Sequence, residues 1–525
     1  MSNYLFAFGF TDSIVKIHEL FSVELKGPDK EISFHRVDKQ HSVLVVAKRP
    51  DSLSSSILNL DETDENLNCG LFFKGQALDH DSASMILGLE GFSKFIVDNE
   101  KYLQPTENAD FEGTFTLARW KDGCLTIQND LYSLMSQLVF STDEIIVSSD
   151  SLFLLSIVRK HLGLPCRFNR RVMISKSWNI AGWASAPMTN ETIIEDVMTL
   201  SAGKSIQCIY DENGIQTTKV ERMIRDIFES EFTSYKDALV DVAKKMYSSI
   251  NFAVESFNPV INFGLSGGVD SRVLLALCLK SPKIMERLCI NTNVHPSRAR
   301  DLEIVTALSK RFGFTFNDKE LKKSMVKEVD AESITIPNTL GFWILSSLGV
   351  YDSFYLDPNY WSNPSVMHMI GVGAEPVKQM MDVGRISWRA KREIPLVRET
   401  VIALMSEAVL SMGIEPDSSD AMKYHHMAFK ATHHIGRGVA RSCMILRPFV
   451  QQSVFAISMY EDNPFKGLPA KGPSVLHDLL IILNPDLAVQ PFDVEWKDVS
   501  FEYVTERLEI LGGVLDVEAM PEPAI

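Results

Sequence analysis

The sequence lacks the cysteine pattern of a disulfide-bonded or zinc-binding protein. Its 525 residues contain seven cysteines, an odd number, and no two of them form a C-x-x-C pair. Scattered cysteines in a chain of this length are typical of reduced thiols. Glycine (28 residues) and proline (22 residues) are too few for a collagen-like or low-complexity chain. We therefore expect a globular protein with reduced cysteines, divided into at least two domains.

An excess of basic residues and a long apolar run are also lacking. Lys and Arg total 52 against 68 Asp and Glu, so the net charge is −16. This acidity argues against a nucleic-acid partner, although backbone N–H groups can still hold a small anion. The first residues carry no basic segment and reach an acid at Asp12, and no apolar run has the ~18–20 residues of a membrane span. These features predict a soluble, cytoplasmic protein without a membrane partner.

The pattern of apolar residues divides the chain into two parts. Up to about Val220, short strand-like segments alternate with turn residues, and one helical pattern covers Ala83–Asn99. The predicted strands are Ser42–Ala47, Gly70–Phe73, Thr114–Arg119, Cys124–Gln128, Leu138–Ser141 and Glu144–Ser148. We interpret residues 1–220 as a layered sheet domain and residues 221–525 as a second domain.

The second part alternates helices and strands, which favours a parallel sheet with helices on both faces. Helices are predicted at Tyr235–Phe257, Ser271–Lys280 and Ala299–Phe312, and strands at Pro259–Leu265, Glu286–Asn291 and Thr315–Phe316. Beyond about Glu393 the pattern is mostly helical.

The most informative local feature is the loop between the strand Pro259–Leu265 and the helix after it. Its residues are Ser266, Gly267, Gly268, Val269, Asp270 and Ser271. Two glycines allow a tight turn and close approach to a ligand, and the N-terminus of the helix favours an anion. A carboxylate beside bound phosphates, as at Asp270, is typical of a Mg²⁺ ligand. The loop therefore predicts a site for a polyphosphate and a metal; the alternative is an ordinary strand-to-helix turn.

This SGGVDS segment resembles the pyrophosphate-binding loop of the ATP-pyrophosphatase superfamily, most closely its asparagine synthetase branch. That branch includes β-lactam synthetases and lasso-peptide cyclases. Three segments of the first half also resemble the family: Cys69–Leu78, Phe111–Ser149 and Ile194–Gly203. The resemblance implies an N-terminal Ntn-hydrolase-like layered α/β sandwich. It also implies a C-terminal parallel-sheet α/β ATP-pyrophosphatase domain with a helical C-terminal part.

The first domain departs from the glutamine-dependent members of the family. Those members have Cys as residue 2, which acts as the N-terminal nucleophile, whereas this chain has Ser2. Their oxyanion-hole Asn corresponds to Lys74 here. We therefore expect this domain to be an inactive glutaminase scaffold.

In the second domain the resemblance implies further site residues. Ile290 lies on the strand expected to bind the adenine. Gly371, Gly373 and Glu375 fit the second phosphate–metal loop (Ile370–Pro376), with Glu375 in place of the metal-binding Asp. Val372 and Pro376 replace two acids of that loop, so a simple Gly-rich loop is the alternative. Arg447 resembles the Arg that shapes the acceptor pocket.

The resemblance also implies a late catalytic Lys. Lys497 is the candidate, with Lys466 and Lys471 as rivals. Outside the resemblance, His425, His426, His433 and His434 form a cluster that could bind a metal. Histidines that hydrogen-bond or face solvent are the favoured interpretation, since structural zinc sites usually have Cys or closer spacing.

These features together predict an ATP-dependent carbon–nitrogen ligase. The expected cofactors are ATP and Mg²⁺, with Asp270 and Glu375 as metal ligands. The expected partners are a small-molecule or peptide carboxylate and an amine, and a homodimer is left open. The alternative is a catalytically lapsed scaffold or binding protein of the same family.

The absence of the family's nucleophile gives a first prediction. Incubation with glutamine, with and without ATP, should release no glutamate above a blank, because Ser2 and Lys74 replace the thiol and the oxyanion donor. Glutamate release that disappears in Ser2→Ala would contradict it.

Overall fold

The computed structural model describes most of the chain. The described residues are 4–24, 30–48, 57–60, 67–80, 83–107, 109, 111–177, 187–221, 224–229, 231–257, 260–318, 366–378, 386, 393–430, 444–468 and 471–517. Among these residues, none of the helices combines the length and the apolar character that crossing a membrane requires.

The first half is built from two antiparallel sheets. One has the strand order β11-β9-β10-β1-β3-β2, and the other β13-β12-β8-β7-β5-β4, with β6 paired to β5. The strands are β1 (Tyr4–Phe10), β2 (Lys30–Arg36), β3 (His41–Lys48), β4 (Ile57–Asn59), β5 (Gly70–Asp79), β6 (Ser84–Leu87), β7 (Glu112–Lys121), β8 (Cys124–Asn129), β9 (Leu138–Ser141), β10 (Ile145–Ser149), β11 (Met198–Thr199), β12 (Lys204–Asp211) and β13 (Gly214–Glu221).

The alternation of side chains along β1 explains why the two sheets stack. Tyr4, Phe6 and Phe8 lie in a buried cluster shared by the two sheets, which also contains Phe72 and Trp120. The intervening residues of β1 belong to a different cluster, under helices α1 (Thr11–Glu19) and α3 (Leu152–His161). Successive residues of a strand point to opposite faces, so one strand contributes to two cores.

The outer face of the second sheet is covered in the same way. Phe73 of β5 stacks on Phe92 of helix α2 (Gly88–Asp98), with ring centroids 4.6 Å apart. The first half is thus a four-layer sandwich of helix, sheet, sheet and helix, in agreement with the layered sheet domain predicted for it. The short helix α4 (Arg170–Ser175) follows α3.

The second half contains a parallel sheet in the order β15-β14-β16-β17. Its strands are β14 (Val260–Gly264), β15 (Leu288–Asn291), β16 (Val366–Met369) and β17 (Met444–Leu446). The described α-helices of this half are α5 (Ile224–Phe228), α6 (Tyr235–Phe257), α7 (Val269–Cys278), α8 (Pro282–Met285), α9 (Ala299–Phe312), α10 (Pro395–Leu410), α11 (Ala421–His425), α12 (Gln452–Met459), α13 (Val475–Leu483), α14 (Pro485–Ala488) and α15 (Phe501–Leu511).

One face of this sheet is apolar and lies in the largest buried cluster. Ile261 and Phe263 of β14 and Met367 and Met369 of β16 belong to that cluster, together with residues of α6, α7 and α13. Helix α13 is buried along its whole length and packs on α7. The sheet and these helices hold the turn between β14 and α7 in a fixed position.

Polar contacts connect the two halves. The Gln76 side chain of β5 donates to the Ile445 carbonyl of β17 at 2.6 Å. The Arg447 guanidinium donates to Thr114 Oγ1 of β7 at 3.0 Å. The second antiparallel sheet therefore lies against the edge strand β17.

Most of the elements predicted from the sequence are present. Helices Tyr235–Phe257 and Ala299–Phe312 have the predicted bounds, and the six strands predicted in the first half correspond to β3, β5, β7, β8, β9 and β10. Two assignments were wrong. Ala83–Asn99 divides into strand β6 and helix α2, and Thr315–Phe316 forms no strand. The division of the chain at residues 220/221 stays a prediction.

Helix α13 gives a prediction on stability against pH. His477 Nδ1 accepts the Ser474 N–H at 3.1 Å, and Nε2 lies 3.1 Å from the Lys497 carbonyl. Burial lowers the pKa of His477 to about 4. The unfolded chain, with a pKa near 6.5, binds the proton first, so stability is complete above about pH 6.5 and falls towards pH 4 by about 3 kcal/mol.

In His477→Gln this pH-dependent loss should be smaller, because Gln retains an acceptor at the third helix position without titrating. Urea unfolding at pH 7.5 and 4.5 measures the difference, with the exposed His161→Gln as control. Equal acid losses in wild type and His477→Gln would contradict the prediction.

Candidate functional site

The loop between β14 and α7 is stabilised by its own serines. Ser271 Oγ accepts the Ser266 N–H at 3.1 Å and lies 3.0 Å from Ser266 Oγ. Ser266 Oγ in turn accepts the Gly268 N–H at 3.2 Å. The two hydroxyls therefore hold the turn closed, a role that the sequence analysis did not assign to them.

Gly267 is enclosed by two acidic residues from other parts of the chain. Its N–H donates to Asp301 Oδ1 of α9 at 2.8 Å, and its carbonyl accepts the Asp493 N–H at 3.1 Å. The N–H groups of Ser266, Gly267 and Gly268 thus all have acceptors within the protein. The first-turn N–H groups of a helix have no intrahelical acceptor, so Val269, Asp270 and Ser271 offer the donors for an anion.

The second Gly-rich segment lies directly against this loop. It follows β16, which pairs in parallel with β14. A Cβ on Gly371 would lie 3.1 Å from Asp270 Cβ, closer than most side-chain contacts, so a glycine favours this approach. Gly373 has a φ of +105°, and its N–H donates to Glu375 Oε2 at 2.9 Å. The structure therefore brings together the two loops that the sequence resemblance paired.

Three charged side chains act on the Asp270 carboxylate at this junction. The Lys378 ammonium donates to the Asp270 carboxylate. Burial raises the pKa of Asp270, the charges of Lys378 and Lys497 oppose that rise, and the charge of Glu375 adds to it. Asp270, Glu375 and Lys497, three predicted site residues, therefore lie close enough to interact electrostatically.

Lys378 was not found in the sequence analysis. It ends a 3-10 helix (Pro376–Lys378) that begins immediately after Glu375. The signal available was a basic residue three positions after the loop's carboxylate. A lone Lys at such a position is more often a solvated charge, and only the folded chain shows it on Asp270.

Lys497 is held beside the first loop by an ion pair with the Asp493 carboxylate. It lies on a 3-10 helix (Glu495–Lys497) and donates to both oxygens of Asp493, at 2.8 and 3.1 Å. Its rival Lys466 donates to the Met459 carbonyl at 2.9 Å, and Lys471 is exposed. Of these three lysines, Lys497 is the one whose charge acts on Asp270.

Arg272 positions the segment that carries Asp493 and Lys497. Its buried guanidinium donates to the Gln490 carbonyl at 2.7 Å and to the Pro491 carbonyl, and lies 3.8 Å from the Phe492 ring centroid. Burial lowers the pKa of Arg272 to about 10. An arginine directly after the loop thus ties residues 490–493 to it, and the sequence analysis missed this residue.

Ile290, predicted to lie on the adenine-binding strand, is part of β15 and pairs with Phe263 of β14. Its side chain is buried in the apolar core, and its carbonyl accepts the Asn317 N–H at 2.9 Å. The opposite face of the sheet carries polar side chains instead. Asn291 donates to Asn262 at 2.8 Å, and the Asn262 amide lies 3.1 Å from His368 Nδ1. These polar side chains lie on the strands β14, β15 and β16, near the loop, although the faces of a parallel sheet are usually apolar.

In the described ranges, no group of three or more His, Cys, Asp and Glu side chains could hold a metal ion. His425 ends α11, His426 begins the π-helical segment that follows it, and both side chains are buried. His433 and His434 lie outside the described residues, as does Ser2. Lys74 is buried in β5.

Comparisons with known proteins do not assign a family. No protein-family profile matches the chain, and no curated protein does. Among solved structures, an allosteric regulatory enzyme of purine biosynthesis matches with a TM-score of 0.25 and 9% identity, over 76% of this chain and 78% of that one. The glutamine phosphoribosylpyrophosphate amidotransferase from B. subtilis, complexed with ADP and GMP, matches with a TM-score of 0.23 and 8% identity, over 76% and 79%. These scores are too low for either likeness to assign a fold.

The enclosure of Gly267 gives a second structural prediction. A Cβ at this position would lie 2.9 Å from both Asp493 Cβ and Ile304 Cδ1, so Gly267→Ala should lower the free energy of unfolding by about 1–3 kcal/mol. Gly264→Ala is the matched control, because no heavy atom lies within 4 Å of its added carbon. Urea denaturation of the two variants measures the difference, and equal stability would show that the turn is not closely packed.

Proposed function

We propose that the protein is an ATP-dependent ligase that joins a carboxylate to an amine. The observation that carries the proposal is the meeting of the two Gly-rich loops at Asp270, with Lys378, Lys497 and Glu375 around it. Two cations, a helix N-terminus and two carboxylates at the carboxyl edge of a parallel sheet suit a metal-bound polyphosphate. Ligands of open α/β sheets bind at this edge.

The carboxylates fit Mg²⁺ by number and chemistry. Mg²⁺ is usually bound by one or two carboxylates together with substrate phosphates and water, so a three-ligand protein cluster is not required. Asp270 and Glu375 would hold the ion, which would offset negative charge on the phosphates. An ion bound at Oδ2 of Asp270 would require Lys378 to release that oxygen, because the ammonium contacts it.

The residues of the chain would then orient and neutralise the reacting groups. The substrate carboxylate attacks the α-phosphorus of ATP, the bond to the β-phosphate oxygen breaks, and pyrophosphate leaves. The amine attacks the carbonyl of the resulting acyl-adenylate, loses a proton and displaces AMP. Lys497 and the first turn of α7 would stabilise charge on the phosphates in both steps.

The amine is proposed to come from a source other than glutamine, because Ser2 and Lys74 replace the glutaminase residues of the family. Free ammonia, a second small molecule and an amine within the same substrate all satisfy the chemistry. Arg447, buried beside β17, is proposed to shape the acceptor side indirectly, since it donates to Thr114.

A second candidate is a lapsed enzyme with a scaffold or binding role. One observation favours it: the Asp270 carboxylate and three N–H groups of its loop already have partners within the protein. Such a protein would bind no ATP, or would bind ATP without releasing pyrophosphate. Pyrophosphate release from ATP in the presence of a cell metabolite extract separates the two candidates.

The ligase proposal predicts a strong effect of Asp270→Asn. The change removes the charge but little volume, so pyrophosphate release should fall by about 100-fold or more while the fold is retained. Asp486→Asn, at an exposed carboxylate, is the control and should retain activity. Circular dichroism checks the fold of both variants. Full ATP turnover by Asp270→Asn would show that Asp270 does not have the proposed role.

A further inference from the structure

We propose that Lys378 is an internal counter-ion which occupies the metal's place on Asp270 until a polyphosphate arrives. The inference rests on the proposed function, since it takes ATP as the polyphosphate. The inference also restricts how the metal ion binds. A divalent cation without nucleotide is excluded, and the metal ion enters only together with the nucleotide.

The geometry assigns this role to Lys378 rather than to Lys497. Lys497 already contacts both oxygens of Asp493. Lys378 donates to Asp270, and both side chains of this pair are about one quarter exposed, 26% and 25%. The ion pair is therefore partly shielded from solvent, which strengthens the attraction between the two charges. It is still open enough for a ligand to reach it.

The surroundings leave a divalent ion little room to join the pair. Gly371 lies against the Cβ of Asp270, so the backbone of the second loop borders this side chain. A metal ion on the same carboxylate would meet the Lys378 ammonium, and like charges in contact repel strongly in a partly buried site. At Asp270 the bare ion would therefore compete with Lys378, and Glu375 is the other carboxylate whose charge acts on Asp270.

A polyphosphate changes this balance because it supplies a new partner for the ammonium. Lys378 is anchored at its backbone, where its N–H donates to the Glu375 carbonyl at 3.3 Å. Its long side chain can therefore turn from Asp270 to a phosphate while the loop stays in place. A single movement of the Lys378 side chain then releases Asp270 and neutralises the phosphate.

The experiment measures Mn²⁺ binding without nucleotide, by the loss of the free-ion electron paramagnetic resonance signal. Lys378→Met keeps the chain length and removes the charge, so its Mn²⁺ affinity should exceed that of wild type by about tenfold or more. Lys378→Arg retains the charge and should bind Mn²⁺ as weakly as wild type. Lys466→Met, at a Lys held by the Met459 carbonyl, is the control and should also behave as wild type.

The double variant Lys378→Met/Asp270→Asn identifies the ligand, because the gain in Mn²⁺ affinity should disappear. A second arm measures ATP affinity in EDTA by equilibrium dialysis. Lys378→Met should bind ATP at least about tenfold more weakly, since the phosphate contact is lost. Metal affinity and nucleotide affinity thus change in opposite directions, which general damage to the fold would not produce.

Unchanged Mn²⁺ affinity in Lys378→Met would overturn the inference, even if ATP binding were weakened. Lys378→Gln provides the same contrast if Lys378→Met does not fold. Failure of the proposed function gives a different result: wild type binds no ATP with or without Mg²⁺, whereas the exclusion of bare metal by Lys378 is still decided by the Mn²⁺ measurements.

Discussion

The site depends on the parallel pairing of β14 with β16. Val260–Phe263 pair with Val366–Met369 in register, so both strands end at the same edge of the sheet. The chain therefore emerges twice at one place, once into the loop before α7 and once into the segment from Ile370 to Glu375. Antiparallel pairing would place these two loops at opposite ends of the strands. Every contact of Asp270 with Gly371 and Lys378 follows from this register.

Most of the polar groups in the loop before α7, which the sequence predicts to bind an anion, already have partners within the protein. Asp301, Ser266 and Ser271 accept three of its N–H groups, and Lys378 neutralises its carboxylate. Buried polar groups without partners cost free energy, so a protein that is stable without its ligand needs such internal substitutes. A ligand must then take the place of Lys378 on Asp270, while the first-turn N–H groups of α7 offer further donors. Such a site favours a ligand that carries both positive and negative charge, as a metal-bound polyphosphate does.

Local sequence signals predicted much of this architecture. The apolar spacing of Tyr235–Phe257 predicted a helix with the observed bounds, and two adjacent glycines after an apolar strand located the loop. Lys378 could not be found in this way, because its partner Asp270 is 108 positions away. The three-residue strand β17 was missed for a similar reason, since so short a segment is defined by its partner strand rather than by its own periodicity. The split of Ala83–Asn99 shows the same limit: Ser84–Leu87 is a strand because it pairs with β5.

The contacts of β17 give the first half a structural connection to the site. Gln76 donates to the Ile445 carbonyl, and Thr114 accepts from Arg447. The antiparallel sandwich therefore contacts both β17 and the residue that follows it. The Leu446 carbonyl then accepts the Ile370 N–H at 3.1 Å, at the start of the second Gly-rich loop. A short edge strand with three residues has little stability of its own, and its position depends on these neighbours. The sandwich therefore supports the loop that contacts Asp270, and this support does not require a nucleophile at position 2.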